Sequence, residues 1–284
     1  MELRILMLTL STACIQMFNA QHDSLRVIEG TKAAEGEYLY VVCLLRAEVY
    51  RSCTGSLISS EWVVTAGHCI HPHVTLIEYS NFPVTPNTWP TGISAIIRTV
   101  RHPNYRLPDE NAPINDIGLV RVEKVPVNIF ASLSAVDYTS LMGYPVKYAG
   151  FGLTQLYITN KTMDEVMIDP GKEHKLRIGE GVVTSCKVLR EYIMKPFGPC
   201  ICVTPKCSIK GQSINKGDSG GPLFYDNKIV GVASCRSINE NPISTFTSIS
   251  PYQTWIHSVV NSQITFAKKQ RCHWFVHGFY STTF

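Results

Sequence analysis

The sequence of 284 residues has few charged side chains and little net charge. Charged residues make up 17% of the chain and the formal net charge at pH 7 is +4, so the composition gives no reason to expect nucleic-acid binding. There is no CxxC pair, and the closest cysteines, Cys200 and Cys202, form an isolated CxC, which argues against a zinc site. We find no internal repeat and no low-complexity tract. With 45% hydrophobic residues, the composition excludes wholesale disorder.

Long apolar runs are also absent, except at the N-terminus. Arg4 precedes an apolar run over residues 5–18, and the small Ala20 follows it, which is the layout of a secretory signal peptide. The run is too short to span a bilayer comfortably. We therefore expect a signal peptide over residues 1–20, a secreted, extracellular protein and no membrane anchor.

Cysteine, in contrast, is abundant. Ten cysteines are many for a protein in a reducing compartment, and in a secreted chain they indicate disulfide bonds. Removal of the signal peptide takes Cys14 away and leaves an odd number. The pairing cannot be deduced from the count alone.

Short β-like segments dominate the chain from Val27 onward. Apolar or alternating runs occur at 38–45, 62–66, 93–100, 117–122, 146–150, 176–183, 221–225, 228–234 and 245–249. Turn-forming residues separate these runs, which favours an all-β sandwich or barrel over βαβ units. Apolar residues at helical spacing over 252–260 predict one amphipathic helix. The stretch 123–144 has weaker strand character, and we expect it to join two halves.

Three short blocks carry the residue types needed for nucleophilic acyl transfer. They read TAGHC at 65–69, NDIGL at 115–119 and GDSGGP at 217–222. A serine hydroxyl is a weak nucleophile at neutral pH, so it needs a nearby base that is itself oriented by a carboxylate. The blocks supply His68, Asp116 and Ser219 for these three tasks. Glycines beside the serine allow a sharp turn that presents backbone N–H groups to a developing oxyanion.

These blocks resemble the signatures of the chymotrypsin/trypsin family of serine endopeptidases, and their order along the chain matches that family. The resemblance covers roughly residues 27–262. It implies an all-β fold of two six-stranded antiparallel β-barrels packed together, with a boundary near 123–144 and a C-terminal α-helix. Residues 263–284 are then a C-terminal extension. The resemblance implies protein or peptide substrates, an activating protease and a protein inhibitor as partners, and neither a cofactor nor a metal.

The resemblance also implies the role of each residue in the site. His68 is similar to the general base, Asp116 to its orienting carboxylate and Ser219 to the nucleophile, while the N–H groups of Gly217 and Ser219 resemble the oxyanion hole. The alternative is a non-catalytic protease homologue that acts as a binding module. Such proteins usually lose a triad member, whereas this sequence keeps all three, so an active enzyme is the preferred interpretation.

Residues 25–30, which read LRVIEG, resemble the activation site of the same family. Cleavage after Arg26 would create a new amino terminus at Val27, and its ammonium group would pair with Asp218. A buried ion pair that is costly to leave half made can act as a conformational switch. We therefore expect a zymogen with a short propeptide over residues 21–26.

The specificity pocket can be assigned in the same way. In this family the residue six positions before the nucleophile lies at the pocket base, and here it is Ser213. A serine without charge disfavours substrates with Arg or Lys, so we expect a chymotrypsin-like, non-basic specificity. Ser234 and Arg236 align with the pocket wall, and Ser244 aligns with the far wall. Arg236 stands where the family carries glycine, so a small or acidic preference competes with an aromatic one.

The resemblance further implies two disulfide bonds, which join Cys53 to Cys69 and Cys186 to either Cys202 or Cys200. The first of them staples the loop that carries the base histidine. The third pair common in the family is displaced, because Asn215 stands where its first cysteine aligns. We expect Cys207 and Cys235 to form a substitute pair. Separately, a sequon at Asn160 predicts an N-linked glycan on a surface loop.

Overall fold

A computed structural model describes residues 27–28, 30–46, 50–80, 91–108, 113–152, 176–187, 198–208, 211–237 and 242–262. The expected signal peptide, the propeptide with Arg26, the Asn160 sequon and the C-terminal extension lie outside these residues. In the part of the chain that is described, no helix has both the length and the apolar character needed to cross a membrane.

The first half of the chain forms a closed antiparallel barrel. After a short strand β1 (Thr31–Lys32), its six strands are β2 (Val41–Arg46), β3 (Tyr50–Ser59), β4 (Trp62–Thr65), β5 (Val74–Ser80), β6 (Thr91–Arg101) and β7 (Gly118–Val122). They pair in the order β2-β3-β4-β7-β6-β5 and close on themselves, which leaves no free sheet edge. The barrel interior is filled by buried aliphatic side chains, among them Leu44, Leu57 and Ile77.

The second half forms another closed barrel. Its strands are β8 (Pro145–Gly150), β9 (Arg177–Thr184), β10 (Cys200–Pro205), β11 (Pro222–Tyr225), β12 (Lys228–Arg236) and β13 (Ser244–Ser248). The barrel closes because β8 pairs with both β9 and β11, and β1 adds to β9. Tyr148 and Phe246 are the largest fully buried side chains of its core.

Residues 123–144 connect the barrels and include one 3-10 turn, Tyr138–Leu141. After β13, a 3-10 turn, Ser250–Tyr252, leads into a helix, α1, over 253–262. An apolar cluster between the barrels combines Trp62 and Ile117 of the first barrel with Phe224 of the second and Ile256 of α1. The expected all-β fold of two six-stranded barrels with one C-terminal helix is therefore confirmed.

Candidate active site

Strand pairing brings His68 and Asp116 to the same end of the first barrel. Thr65 in β4 lies opposite Gly118 in β7. His68 follows β4 in a 3-10 turn, and Asp116 lies just before β7. Because antiparallel neighbours run in opposite directions, the residues that follow one strand meet those that precede the other.

Asp116 is completely buried and makes two hydrogen bonds to His68. The backbone N–H of His68 donates to Oδ1 of Asp116 at 2.8 Å, and Nδ1 of His68 lies 2.8 Å from Oδ2. The Ser234 hydroxyl donates to the same Oδ2 at 2.6 Å. Burial alone would raise the pKa of Asp116, but the hydrogen bonds and charge of His68, together with Ser234, hold that pKa below its usual value. The carboxylate thus stays ionised and fixes Nδ1 as the donor, which leaves Nε2 as the basic nitrogen.

Ser219 is attached to the first barrel through β3. The N–H of Thr54 donates to the Ser219 carbonyl at 2.8 Å, and the Thr54 hydroxyl donates to the Gly217 carbonyl, also at 2.8 Å. The Sγ atom of Cys69, the residue after His68, lies 3.5 Å from the Ser219 carbonyl oxygen. Ser219 therefore lies beside the turn that carries His68. No hydrogen bond joins the Ser219 hydroxyl to the imidazole among the described residues, and such contacts are often long before substrate binds.

Thr54 is a residue of this site that the sequence patterns do not identify. Besides its two bonds to the loop that carries Ser219, its hydroxyl accepts the N–H of Phe151 at 3.1 Å, and its carbonyl accepts the hydroxyl of Thr65 at 2.8 Å. These contacts join both barrels at one point. A single threonine in a strand forms no motif. The sequence therefore offers only the position of Thr54 beside Cys53 as a signal.

The loop that ends at Ser219 presents two backbone N–H groups without an acceptor. Gly217 and Gly220 have φ angles of 95° and 79°, in the left-handed region that glycine adopts without strain. The N–H of Asp218 donates to the Asn215 carbonyl at 3.0 Å. In the described chain the N–H groups of Gly217 and Ser219 donate to no protein acceptor, so both are available to an oxyanion.

The carboxylate of Asp218 is buried beside Val27. It accepts the N–H of Asn215 and the N–H of Gly152, each at 2.7 Å, and also the backbone N–H of Val27. Val27 itself is fully buried. Despite these hydrogen bonds, burial raises the pKa of Asp218 to about 7. Among the described residues, no cationic side chain forms an ion pair with this carboxylate.

The part of the chain that contains His68, Asp116 and Ser219 is similar to known proteins. The sequence model of the family described as Trypsin matches residues 27–256, which is most of the chain. This chain belongs to the trypsin family. Trypsin-family enzymes of this kind are serine endopeptidases, so the protein is a serine endopeptidase.

Individual relatives of this trypsin-family chain include several proteases. Chymase of Mus musculus is 30% identical over 243 residues, a match that covers 82% of this chain and 90% of the relative. Granzyme M of Rattus norvegicus is 28% identical, with 90% and 96% covered. Chymotrypsin of Phaedon cochleariae is 28% identical, with 83% and 82% covered.

Three of the four residues that the resemblance assigns to the specificity pocket lie in the loop at 213–215 or contact it. Ser213 is fully buried, and its hydroxyl has no hydrogen-bond partner within the ranges that the structure describes. Ser244 accepts the N–H of Ile214 at 3.1 Å. Arg236 lies opposite Ser244 in the pairing of β12 with β13, and its Nη2 donates to Oδ1 of Asn215 at 3.5 Å.

Ser234, the fourth residue, contacts the Asp116 carboxylate through its hydroxyl. The pairing of β12 with β13 shifts register between Ala233 and Cys235, on either side of Ser234. Such irregularities re-aim side chains in a strand. Ser234 therefore supports the buried carboxylate, while Arg236 contacts Asn215 in the loop that also carries Ser213.

Two of the expected disulfide bonds form. They join Cys53 to Cys69 and Cys186 to Cys202, with Cα–Cα distances of 6.0 Å and 5.3 Å. The first closes the loop that carries His68, as the trypsin-family resemblance implies. Of the two candidate partners of Cys186, Cys202 forms the bond, while Cys200 keeps its thiol with Sγ 3.5 Å from that of Cys186.

The predicted Cys207–Cys235 bond is wrong, because both residues carry free thiols. Cys207 is exposed just after β10, whereas Cys235 lies within β12. Strand β13 separates β10 from β12, so these strands are about 10 Å apart. That separation exceeds the Cα–Cα distance that a disulfide bond can span.

Among the described residues, two groups of side chains have metal-ligand atoms within 4.8 Å of one another. They are Cys53, His68 and Cys69, and Cys186, Cys200 and Cys202. In each group two of the sulfur atoms form a disulfide bond and are not available as thiolate ligands. Each group thus keeps a single donor, and neither suits a metal ion.

Proposed function

We propose that this serine endopeptidase uses Ser219 as nucleophile, His68 as general base and Asp116 as the orienting carboxylate. Nε2 of His68 takes the hydroxyl proton while Oγ of Ser219 attacks the substrate carbonyl carbon. The resulting oxyanion accepts hydrogen bonds from the N–H groups of Gly217 and Ser219. His68 then passes the proton to the leaving amine, and the same imidazole activates the water that hydrolyses the acyl-enzyme.

The hydrogen bonds around Asp116 support this assignment most directly. The carboxylate is buried, ionised and bonded to both the backbone and the ring of His68. An ionised carboxylate at this position stabilises the imidazolium that forms when His68 takes a proton. The anchoring of the Ser219 carbonyl to Thr54 supports the nucleophile's position beside that ring.

A serine-reactive fluorophosphonate tests the assignment. We expect stoichiometric labelling of the activated protein at Ser219 and none of a Ser219→Ala variant, because only an activated serine attacks the phosphorus. The far-ultraviolet circular dichroism of both proteins provides the control for folding. If correctly folded and cleaved protein takes up no label, the chain is instead a non-catalytic homologue that acts by binding.

We also propose that the protein is secreted as a zymogen. Residues 1–20 direct export, and an activating protease cuts after Arg26 to remove residues 21–26. The burial of Val27 and the contact of its N–H with Asp218 support this proposal, since a free ammonium at that position would meet a carboxylate that lacks a counter-charge. The catalytic domain then spans residues 27–262, with an extension over 263–284.

The primary specificity is proposed to be non-basic, as in chymotrypsin-like enzymes. Ser213 at the pocket base offers no carboxylate to a substrate Lys or Arg. Arg236, nearby, adds a positive charge that repels such a side chain. A protein inhibitor of serine proteases would occupy the same pocket, and a glycan at Asn160 fits a secreted chain.

A further inference from the structure

The pocket region contains a positive charge that is partly withdrawn from water. Arg236 ends β12 and is neither buried nor fully exposed. Partial burial lowers the pKa of its guanidinium, and the charge of Asp218 acts in the opposite direction. Arginine keeps its proton in proteins, so the charge persists and its desolvation has to be compensated.

The protein compensates this charge poorly. The hydrogen bond from Nη2 to the neutral Oδ1 of Asn215 is 3.5 Å long, at the outer limit of such bonds. Within the described ranges, no carboxylate is at ion-pairing distance from Arg236. Asp218 acts on it through charge alone, because its oxygens accept backbone N–H groups. Most of the guanidinium donors therefore remain available to a ligand.

The loop that Arg236 contacts carries a second polar group without a partner among the described residues. The hydroxyl of Ser213 is fully buried and forms no hydrogen bond within the described part of the chain. Ser213 lies two residues before Asn215, the contact of Arg236, and Ser244 joins this loop to the strand position opposite Arg236. Buried polar groups are normally satisfied, so an orphaned hydroxyl in the loop that contacts a cation without an ion-pair partner indicates a site for a polar, anionic group.

We propose that Arg236 selects an acidic side chain at the substrate residue whose carbonyl is attacked. This inference rests on the proposed catalytic residues and narrows the non-basic specificity to one chemical class. The substrate carboxylate accepts hydrogen bonds from the guanidinium, an arrangement that planar guanidinium groups favour. An aromatic side chain would instead cover the charge without pairing it.

Matched peptide substrates that differ only at this residue provide the test. We expect kcat/KM for Glu to exceed that for the neutral isostere Gln by about tenfold or more at neutral pH and low salt. High salt should reduce the ratio, because ions screen the partly exposed pair. Arg236→Gln should bring the Glu/Gln ratio close to one, and Arg236→Lys should retain part of it.

The neighbouring cation Lys216 provides the matched control, since Lys216→Gln removes a charge from the same loop. We expect this variant to keep the Glu/Gln ratio. Loss of the ratio in Lys216→Gln but not in Arg236→Gln would overturn the proposal. Normal fluorophosphonate labelling together with a wild-type ratio near one would also overturn it, without touching the catalytic assignment. Failure of labelling would instead contradict the catalytic assignment, so the two failures are distinguishable.

Discussion

Two buried carboxylates in this protein have opposite electrostatic environments. Asp116 faces His68 and the Ser234 hydroxyl, and its pKa is held low. Among the described residues, the close contacts of the Asp218 carboxylate are backbone N–H groups, including that of Val27, and its pKa is raised to about 7. Both side chains are buried, so the difference in pKa comes from the groups that contact each carboxylate and not from the depth of burial.

The raised pKa of Asp218 predicts a pH dependence of stability for the uncut chain. The folded carboxyl keeps its proton up to about pH 7, whereas an unfolded one releases it near pH 4. The folded state thus binds more protons in this window, and its stability falls as the pH rises through it. We expect the Tm of uncut Ser219→Ala protein to be roughly several degrees lower at pH 8 than at pH 5.

Differential scanning calorimetry on two further forms provides the comparison. Asp218→Asn, made in the same Ser219→Ala background, should remove this part of the pH dependence because the amide does not titrate. Cleavage after Arg26 should also remove it, since the Val27 ammonium then holds Asp218 ionised. Identical pH slopes in all three forms would contradict the assignment of the effect to Asp218.

Removal of the Thr54 hydroxyl is also expected to lower the activity. Thr54→Val keeps the shape of the side chain but removes the hydroxyl that donates to the Gly217 carbonyl. We expect kcat to fall by about tenfold with little change in KM, because a hydrogen bond that holds the oxyanion loop is lost. Steady-state kinetics of Thr54→Val and Thr54→Ser measure this, and the serine variant should recover activity. Wild-type kcat in the valine variant would show that the backbone bond to Ser219 is sufficient.

At the scale of strands, the sequence predicts those whose apolar character is visible. The runs identify β2, β4, β6 to β9 and β11 to β13, but no run predicts β3, β5 or β10. In β3 the buried residues include Thr54 and Ser56, because this strand contacts the loop that carries Ser219 rather than only an apolar core. Hydrophobic patterns cannot identify such a strand.

The residues of the candidate site likewise fall into those that the sequence identifies and those that only the structure identifies. The motifs around His68, Asp116 and Ser219 are local in sequence and could be identified without a structure. The contacts of Thr54 and the absence of a Cys207–Cys235 bond depend on which strands are neighbours. That information arises only when the barrel closes, and short motifs do not contain it.

Neighbouring positions of β10 predict a redundant disulfide bond. Cys200 and Cys202 lie two residues apart in the strand and so face the same side, and both sulfur atoms are close to that of Cys186. In Cys202→Ser we expect Cys186 to pair with Cys200, because the thiol already lies 3.5 Å from the Cys186 sulfur.

Alkylation of the native protein followed by peptide mapping checks this exchange of partners. Cys200→Ser is the control and should keep the Cys186–Cys202 bond, and Cys186→Ser should lose both possibilities. Recovery of alkylated Cys186 and alkylated Cys200 from Cys202→Ser would show that β10 does not allow the alternative pairing.

For the whole molecule, the contact between the two barrels determines the position of the site. The apolar cluster between them combines strands of both barrels with α1. The hydroxyl of Tyr252, before α1, donates to Oδ1 of Asn115 at 2.7 Å. Asn115 precedes Asp116 directly and has a φ of 51°, so the C-terminal segment helps to hold the loop that carries the carboxylate.

Activation is also predicted at the scale of the whole molecule, because the proposed cleavage after Arg26 would create an amino terminus at Val27, which is buried among residues of the second barrel. We expect Arg26→Gln protein to remain uncut by a trypsin-like activating protease and to react far more slowly with a fluorophosphonate than cleaved wild type. Arg26→Lys is the matched control, since it keeps a basic cleavage site. Full labelling of uncut Arg26→Gln protein would contradict the zymogen proposal.

Because the residues of the candidate site come from two barrels, the site can be divided between two polypeptides. His68 and Asp116 belong to one barrel and Ser219 to the other, and residues 123–144 join them through a segment in which Ile129 is 47% exposed. A break in this segment would leave two polypeptides, neither of which contains the complete set of reactive groups. Peptide hydrolysis by the mixture would then show that the two polypeptides associate, so the proposed catalytic residues would serve as a split reporter of association.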